Sequence, residues 1–376
     1  MPKLLYFFSE DWAFHHFFLP MTRAARTAGF EVVVATRVRD HAGRLAAEGC
    51  RVVALESERS SLAPFEVLRS FARMVRIVRA ERPDVVHCIA VRMVLLAGPA
   101  ARLAGVRQLV LAPIGLGHLW IENGLFERLA RPIARFMIGR ALRGARTHYL
   151  FENADDPREF GLAPDAADVT LVGGAGVDPA LFPETPEPPA PPVKVAVVGR
   201  MLAPKGIAEA VAAVRRARAL GAPVELDLYG APDPSNRRSI SENELRKWSA
   251  EPGVAWRGAV SDIAAVWREH HVAMLLSYRE GLPKSLVEAA AAGRPIVASD
   301  ATGCRDVVRD GIEGFLVPLG DIAAAARALA RLAQDPALRA RMGRAAHARF
   351  RERFTEEAVV RTMTALYRDL HARLAD

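Results

Sequence analysis

Short apolar runs alternate with amphipathic segments of helical period along most of the chain. In the first half the apolar runs lie at residues 4–8, 31–35, 51–54, 84–88, 108–111, 147–151 and 169–172. Residues 65–80 and 125–142, which lie between such runs, repeat their apolar side chains at helical spacing. Strands that alternate with helices are typical of βαβ units built around a parallel sheet. The pattern therefore predicts an α/β fold.

A proline-rich segment interrupts this alternation at residues 179–192, where seven of fourteen residues are proline. Such a segment holds neither a helix nor a central strand, and we expect a semi-rigid connector. The alternation resumes at residue 194. We therefore predict two Rossmann-like parallel-sheet domains that face a cleft. The predicted divisions are a first domain at 1–178, a linker at 179–192, a second domain at 193–352, and a C-terminal helix at 353–376 that returns to the first domain.

Composition and charge narrow the classes of protein. The chain has 376 residues, 51% hydrophobic and 25% charged, which is typical of a globular protein. Its net charge of +8 fits an acidic partner such as a nucleotide diphosphate, a lipid phosphate or a membrane surface. The three cysteines form no Cys-x-x-Cys pair, so neither a disulfide framework nor a zinc site is indicated. No apolar run approaches the roughly 20 residues that span a bilayer. We expect a cytoplasmic protein with at most peripheral membrane contact.

The densest chemical signal is the segment EGLPKSLVE at residues 280–288, which follows an apolar run and opens a helix. Pro283 suits the first turn of that helix, so the next backbone N–H groups, those of Lys284, Ser285 and Leu286, should be unpaired. A helix N-terminus of this kind binds anions. Glu280 and Glu288 flank it at different depths. Taken alone, the two carboxylates are equally consistent with ordinary dipole or solvent contacts.

A second loop carries cations to the same edge of the same predicted sheet. Gly199, Arg200, Lys205 and Gly206 follow the first strand of the second domain and precede its first helix. Arginine grips phosphate with two parallel hydrogen bonds, whereas lysine acts as a point charge. The chain has 46 arginines but only five lysines, and two of the five, Lys205 and Lys284, lie in these two loops. Chance would explain that placement. The same placement, however, suggests that the compact ammonium of lysine matters in these two loops.

These pieces together resemble the retaining, GT-B-fold glycosyltransferases of family 4. The matched pieces are Gly199-Arg200 with Lys205-Gly206, Glu280 and Glu288, and then 293–300 and 303–306, about 120 residues in the same order. In the first domain the resemblance is narrower and covers 9–12, His87 and 114–117 before Gly124. The arrangement is similar to enzymes that extend bacterial lipid-linked or capsular glycans, including N-acetylgalactosaminyltransferases that act on undecaprenyl diphosphate sugars.

The resemblance implies a role for each matched residue. Arg200 and Lys205 would hold the diphosphate of a nucleotide-sugar, Glu280 would contact the sugar and Glu288 the ribose. Arg200 and Lys205 would support catalysis by stabilising the departing diphosphate, and Glu280 is the third catalytic candidate, at the sugar. The rest of the implied donor site is Gly199, Gly281, Leu282, Pro283, Lys284 and Ser285. The implied reaction moves a hexose or N-acetylhexosamine from a UDP-sugar to a lipid-linked glycan with retention, and it needs neither a metal nor a cofactor.

The implied acceptor side lies in the first domain. Its candidates are His16, His87, Arg92, Gly117 and His118. His16 belongs to a run that departs from the family pattern, and His118 stands where many relatives carry an aromatic or small residue. His87 is expected to end a strand and face the cleft, although a structural histidine is nearly as consistent with its position.

Residues 60–146 hold most of the excess positive charge, with 14 arginines, no lysine and five acidic residues, a net charge of +9. Arg69, Arg73 and Arg76 follow one face of a predicted helix, and Arg128, Arg131, Arg135 and Arg143 recur in another. Such helices often lie at an anionic membrane surface, here the inner face of the cytoplasmic membrane; a solvated face is the alternative. Aromatic residues do not interleave with these arginines, which argues against nucleic acid as the partner.

Two other classes of protein remain open from the sequence. A sugar-nucleotide epimerase or a hydrolase on the same architecture would need the same diphosphate site but no glycan acceptor. A binding or scaffold protein that has lost its chemistry would not need Arg200, Lys205, Glu280 and Glu288 together. Because all four are present, a protein that has lost its chemistry is disfavoured. The transferase is the leading hypothesis, and nucleotide release that depends on an added acceptor would separate it from an epimerase.

Overall fold

A computed structural model of the chain describes residues 1–55, 64–122, 124–234 and 236–375, apart from the side chains of residues 64, 117 and 118. The chain divides into two compact units. The N-terminal unit comprises Met1–Gly176 together with Glu356–Asp376, and the C-terminal unit comprises Val177–Thr355.

The N-terminal unit is built on a seven-stranded parallel sheet. Its strands are β1 (Lys3–Glu10), β2 (Glu31–Arg37), β3 (Arg51–Ala54), β4 (Val85–Ile89), β5 (Gln108–Ala112), β6 (Thr147–Phe151) and β7 (Val169–Leu171). They pair in the order β3-β2-β1-β4-β5-β6-β7. The connecting helices are α1 (Asp11–Thr27), α2 (Ala42–Ala47), α3 (Pro64–Glu81), α4 (Val91–Leu103), α5 (Gly117–Ile121), α6 (Leu125–Phe136) and α7 (Asp156–Glu159). A π-helical turn, Met137–Ala141, continues α6.

Helices cover both faces of this sheet, which explains why its central strands are apolar throughout. Every residue of β4, β5 and β6 is buried. On one face α3, α4 and the π-helical turn contribute Met74, Met93 and Ile138 to a single core. On the other face α1 contributes Phe14 and Met21 to a second core.

The C-terminal unit repeats the plan with a six-stranded parallel sheet. Its strands are β8 (Val193–Val198), β9 (Val224–Tyr229), β10 (Val254–Gly258), β11 (Val272–Leu275), β12 (Ile296–Ser299) and β13 (Gly314–Val317), in the order β10-β9-β8-β11-β12-β13. Its helices are α8 (Ile207–Ala219), α9 (Glu242–Ser249), α10 (Ile263–Glu269), α11 (Lys284–Ala291), α12 (Cys304–Val307), α13 (Ile322–Gln334) and α14 (Pro336–Arg353). The predicted fold class, α/β with two Rossmann-like parallel sheets, is confirmed.

The proline-rich segment is tied to the C-terminal unit by buried arginines. The Arg339 guanidinium is 2% exposed, and its Nε donates to Glu187 Oε1 at 2.6 Å. Arg294 Nη2 donates to Thr185 Oγ1 at 2.6 Å. These charge-assisted contacts fix residues 185–187 against α14 and the start of β12.

The last helix, α15 (Glu356–Ala372), belongs to the N-terminal unit. It packs against α1 and extends the core on that face with Met363 and Tyr367. The Tyr367 hydroxyl lies 2.7 Å from the hydroxyl of Tyr6 on β1, and His371 Nδ1 lies 2.7 Å from the Ala28 carbonyl oxygen. Within the described residues, no helix is both long and apolar enough to cross a bilayer.

Candidate active site

The order in which the chain adds strands to the C-terminal sheet reverses between β8 and β11, the two central strands. From β8 the chain proceeds outward to β9 and β10, whereas β11 begins the other half of the sheet. In sheets of this kind ligands bind beyond the carboxyl ends of the strands at this switch point. The loops that follow β8 and β11 carry residues 199–206 and 276–283. The site is therefore built from the two loops that the sequence singled out.

Lys205 and Glu280 meet directly at this edge. The Lys205 ammonium donates to both carboxylate oxygens of Glu280, at 2.7 and 2.8 Å. The two side chains are 25% and 11% exposed, so the pair is only partly screened by water. The geometry places one cation and one carboxylate side by side at the mouth of the switch point.

Two glycines allow these loops to approach so closely. Gly206 has a φ of 70°, and a Cβ there would lie 2.0 Å from the Leu276 carbonyl oxygen. Gly303 has a φ of 81°, and a Cβ there would lie 2.7 Å from the Glu280 carbonyl oxygen. Both positions need a left-handed backbone and lack room for a side chain. Glycine at 206 therefore lets the loop after β8 approach the loop after β11, and glycine at 303 lets the loop after β12 approach Glu280.

Arg200 lies beside this pair but has a different partner. Its guanidinium donates to Asp233 Oδ2 at 2.9 Å and is 63% exposed. Both residues line a cavity of about 410 Å³ beyond β8 and β9, with Gly199, Tyr229 and Val260 among its walls. The structure thus joins Lys205 to Glu280 and Arg200 to Asp233. Asp233 was missed from the sequence; its only signal is a position four residues after β9.

The helix α11 begins at Lys284, and its first turn corrects one expectation. The Leu286 N–H donates to the Pro283 carbonyl oxygen at 3.0 Å, so the prediction that it is unpaired is wrong. A tight first turn of this kind satisfies a donor that an ideal α-helix would leave open.

Glu288 lies one turn further along α11 and is nearly enclosed. Its side chain is 9% exposed and one carboxylate oxygen lies 3.8 Å from the Lys284 ammonium. Burial raises the pKa of Glu288 to about 7, and attraction to Lys284 and to the Trp267 indole N–H partly opposes that shift. The two carboxylates are buried to a similar extent but differ in their surroundings, because Glu280 pairs directly with Lys205 whereas Glu288 lies 3.8 Å from Lys284.

The described residues contain no group of three or more histidine, cysteine, aspartate or glutamate side chains that could hold a metal ion. Lys205, Arg200 and Lys284 supply positive charge at this edge, and each lies within 4 Å of a carboxylate. Such an arrangement can bind a diphosphate through its cations and sugar hydroxyls through its carboxylates.

Of the acceptor-side candidates, His87 is placed differently from the prediction. β4 continues to Ile89, so His87 lies in the middle of the strand and not at its end. Its side chain is completely buried beneath α15, with Nδ1 3.0 Å from the Tyr367 hydroxyl. Burial lowers the pKa of His87 to about 3 and keeps the ring neutral. The expectation that it faces a cleft is wrong, because α15 covers this part of the sheet.

The other candidates lie in the N-terminal parts of helices. His16 is exposed on α1, with its ring edge-on to Phe17 at 4.6 Å between centroids. Arg92 lies in the first turn of α4, and partial burial lowers the pKa of its guanidinium. Gly117 opens α5. The side chains of Gly117 and His118 lie outside the described residues.

Two features near these helices escaped the sequence interpretation. Asp11 is completely buried at the start of α1, where its Oδ2 accepts the backbone N–H groups of Arg39 and His41 at 2.7 and 3.0 Å. It thereby anchors the loop after β2 to α1. Ala90 has a φ of 76° between β4 and α4, a conformation that costs a non-glycine residue on the order of 1–3 kcal/mol. Asp11 belongs to the matched motif at 9–12, whereas nothing in the sequence marks Ala90.

Comparisons with known proteins cover both units. Residues 3–149 match the family described as glycosyl transferase 4-like, and residues 192–335 match glycosyl transferases group 1. Over 341 residues the chain is 25% identical to a Campylobacter jejuni enzyme, N,N'-diacetylbacillosaminyl-diphospho-undecaprenol alpha-1,3-N-acetylgalactosaminyltransferase, covering 86% of this chain and 88% of that protein. It is 28% identical over 173 residues to the Staphylococcus aureus capsular polysaccharide glycosyltransferase CapM, covering 46% of this chain and 45% of that one.

Solved structures show the same fold. Anabaena HepE, crystallised with UDP and glucose, aligns with a TM-score of 0.74 at 16% identity over 97% of this chain and 99% of that one. Sucrose-phosphate synthase from Thermosynechococcus elongatus aligns with a TM-score of 0.77 at 20% identity over 99% of this chain and 100% of that one. These structural matches show the GT-B fold, and the family matches over both units show a glycosyltransferase of that fold. The chain belongs to the family 4-like group of these enzymes, and its activity is the transfer of a sugar.

Proposed function

We propose that this enzyme is a retaining, metal-independent hexosyltransferase of bacterial polysaccharide or glycoconjugate assembly. It takes a hexose or N-acetylhexosamine from a UDP-sugar and transfers it to a lipid-diphosphate-linked glycan at the inner face of the cytoplasmic membrane. The observation that carries the proposal is the ion pair of Lys205 and Glu280 at the switch point, beside Arg200 and its cavity.

The donor is bound by the C-terminal unit. The Lys205 ammonium and the Arg200 guanidinium receive the diphosphate, and each exchanges part of its carboxylate contact for phosphate oxygens. Glu280 then accepts hydrogen bonds from sugar hydroxyls, and Glu288 accepts them from the ribose. The cavity beside Arg200, with Tyr229 and Val260 in its walls, has a size suited to the base. The UDP bound in the similar Anabaena structure supports a UDP-linked donor.

The chemical step breaks the bond between the anomeric carbon and the β-phosphate oxygen. Negative charge then develops on the departing diphosphate. The acceptor oxygen forms the new glycosidic bond, and its proton passes to the departing β-phosphate oxygen. Lys205 and Arg200 lie where fixed positive charge stabilises that departure, which is the task that a divalent metal performs in other enzymes. Retention of the anomeric configuration is supported by the motif resemblance to family 4.

The acceptor is assigned to the N-terminal unit, with His16, Arg92, Gly117 and His118 as candidate contacts. The Campylobacter relative, which matches most of both chains, is named for an undecaprenyl diphosphate-linked acceptor. The same acceptor class suits the excess of arginine in residues 60–146.

A thermal-shift panel tests the donor assignment. UDP-, GDP- and ADP-sugars are compared on the wild-type chain and on Lys205→Ala, because a ligand that binds only the folded state raises the Tm. We expect stabilisation by UDP-sugars alone and a smaller shift in the variant. A GDP- or ADP-sugar that stabilises the protein more strongly would overturn the choice of nucleotide.

A further inference from the structure

The helix α6 presents its large apolar side chains to solvent. Five of them form what we call the apolar stripe: Leu125, Phe126, Leu129, Ile133 and Phe136, which are between 55% and 73% exposed. At about 100° per residue they fall within an arc of about 100° on one side of the helix. Among the residues of α6, only Ala134 is buried. A contiguous apolar surface of this kind on a soluble domain marks an interaction site.

The charged edge of α6, formed by Arg131 and Arg135, attaches the helix to the N-terminal unit. The apolar stripe does not. Arg131 Nε donates to the Leu119 carbonyl oxygen at 2.6 Å. Arg135 Nη2 donates to Glu159 Oε2 at 2.6 Å, and the same oxygen accepts the Trp120 indole N–H at 2.7 Å. In an ordinary surface helix the apolar stripe packs on the core and the charged edge meets water. Here that arrangement is reversed, so the stripe is left for a partner outside the unit.

Arginines flank the apolar stripe. Arg128 within α6 and Arg140 just after it are exposed. Arg135, Arg140 and Arg143 line a groove of about 710 Å³ together with Phe136, the last residue of the stripe. Arg135 pairs there with Glu159 and Arg143 pairs with Asp168, so the proposal uses Arg128 and Arg140. Cations beside an exposed apolar stripe match a surface with apolar chains below and phosphates above.

A second element of the same composition lies on the same side of the sheet. Phe65 and Leu68, in the first turns of α3, are 65% and 64% exposed. The Arg69 guanidinium lies over the Phe65 ring, 4.6 Å from its centroid. α3 packs on the sheet face that also carries α4 and the π-helical turn after α6. One side of the N-terminal unit therefore offers apolar and cationic side chains from two helices.

We propose that the apolar stripe of α6 inserts into the interfacial region of an anionic phospholipid bilayer, with Arg128 and Arg140 at the headgroup phosphates. A second copy of the chain fits less well, because a symmetric contact through α6 would bring two arginine-rich rims together. The inference deepens the proposed function, since a lipid-linked acceptor requires the enzyme at the bilayer. Its physical basis, however, is the surface formed by α6, the turn that follows it and α3, and does not depend on the donor site.

An environment-sensitive fluorophore at position 133 tests insertion without any substrate. The three native cysteines are buried, so a thiol-reactive label is directed to Ile133→Cys. Leu220→Cys is the matched control, because Ile133 and Leu220 are 62% and 57% exposed and Leu220 lies in the C-terminal unit. With phosphatidylglycerol vesicles we expect a blue shift of the label at 133 and none at 220, and no shift with phosphatidylcholine. An unshifted label at 133 on protein that co-sediments with the vesicles would overturn the proposal.

The double variant L129Q/I133Q provides the second arm. We expect binding to phosphatidylglycerol vesicles to fall by about tenfold or more, since both side chains supply interfacial apolar area, with L220Q unchanged. Transfer to a water-soluble acceptor should stay within about twofold, because neither residue belongs to the proposed donor or acceptor site. Unchanged vesicle binding by the double variant would contradict insertion. So would light scattering that shows a dimer for the wild type and a monomer for the double variant. Vesicle binding without sugar transfer to any acceptor would instead refute the proposed function alone.

Discussion

Lys205 and Glu280 are 75 residues apart in the chain, yet the Lys205 ammonium lies 2.7 and 2.8 Å from the two carboxylate oxygens of Glu280. In the proposed mechanism this lysine meets the charge that develops on the departing diphosphate. Lys205→Ala should therefore lower kcat/KM by about 10² or more, equivalent to some 3 kcal/mol of transition-state stabilisation. Steady-state kinetics measures it, with Lys247→Ala as a control because Lys247 is an exposed lysine of the same unit. Normal turnover in the Lys205 variant would remove this residue from the mechanism.

The two glutamates of the motif should separate in their kinetic effects. Glu280 precedes α11 and pairs with Lys205 at the edge of the sheet. Glu288 lies more than one turn inside α11, near Lys284. We expect Glu280→Ala chiefly to lower kcat by about 10², and Glu288→Gln chiefly to raise the donor KM by about tenfold. Initial rates over a range of donor concentrations distinguish the two effects. The opposite pattern would mean that the donor runs through the site in the reverse direction.

The enclosure of Glu288 also predicts how stability depends on pH. Its pKa is about 7 in the folded chain and lies above its ordinary value of 4.5. As pH rises between these values, the unfolded chain releases this proton more readily than the folded one. The free energy of unfolding should therefore fall over this interval, by on the order of 3 kcal/mol from this group. Urea unfolding at pH 4.5, 6 and 8 measures it; parallel profiles for wild type and Glu288→Gln would refute the assignment.

The sequence predicted the two sheets and both loops of the site because these follow from local patterns. Residues that follow β8 and β11 meet at one edge whenever those strands are neighbours and parallel. The direct pairing of Lys205 with Glu280 depends on how tightly Gly206 and Gly303 turn, which no spacing encodes. Asp233 lies in a loop without a motif, so its contact with Arg200 was not predicted.

Longer-range packing explains the remaining differences. His87 is buried by Tyr367, a residue 280 positions away, so nothing near β4 in the sequence could indicate its environment. For α6, apolar periodicity predicted the helix but not the side that packs inward. That choice was decided by Arg131 and Arg135, whose polar contacts attach the helix to the unit. A helix with anchors on its charged edge leaves its apolar side free, contrary to the usual interpretation of such a pattern.

The arginines of α3 should contribute to membrane binding through charge. Replacing Arg69, Arg73 and Arg76 with Gln is expected to reduce co-sedimentation with anionic vesicles, since each cation near the surface contributes about 1 kcal/mol. The residual binding should weaken further as salt shortens the Debye length, while donor affinity changes little. The matched control replaces Arg215, Arg216 and Arg246, exposed arginines of the C-terminal unit, with Gln. Equal losses in both triple variants would mean that net charge alone, and not this helix, drives binding.

The most direct measurement of the central claim is sugar transfer itself, followed with a UDP-sugar and a prenyl diphosphate-linked N-acetylhexosamine in the presence of EDTA. UDP release and the anomeric proton of the product are recorded together by NMR. We expect UDP release to depend on the acceptor, EDTA to leave the rate unchanged, and the product to keep the anomeric configuration of the donor. UDP release at the same rate without acceptor, as in a hydrolase or epimerase, would contradict the proposed transfer reaction. A complete loss of activity in EDTA that Mg²⁺ restores would contradict metal independence.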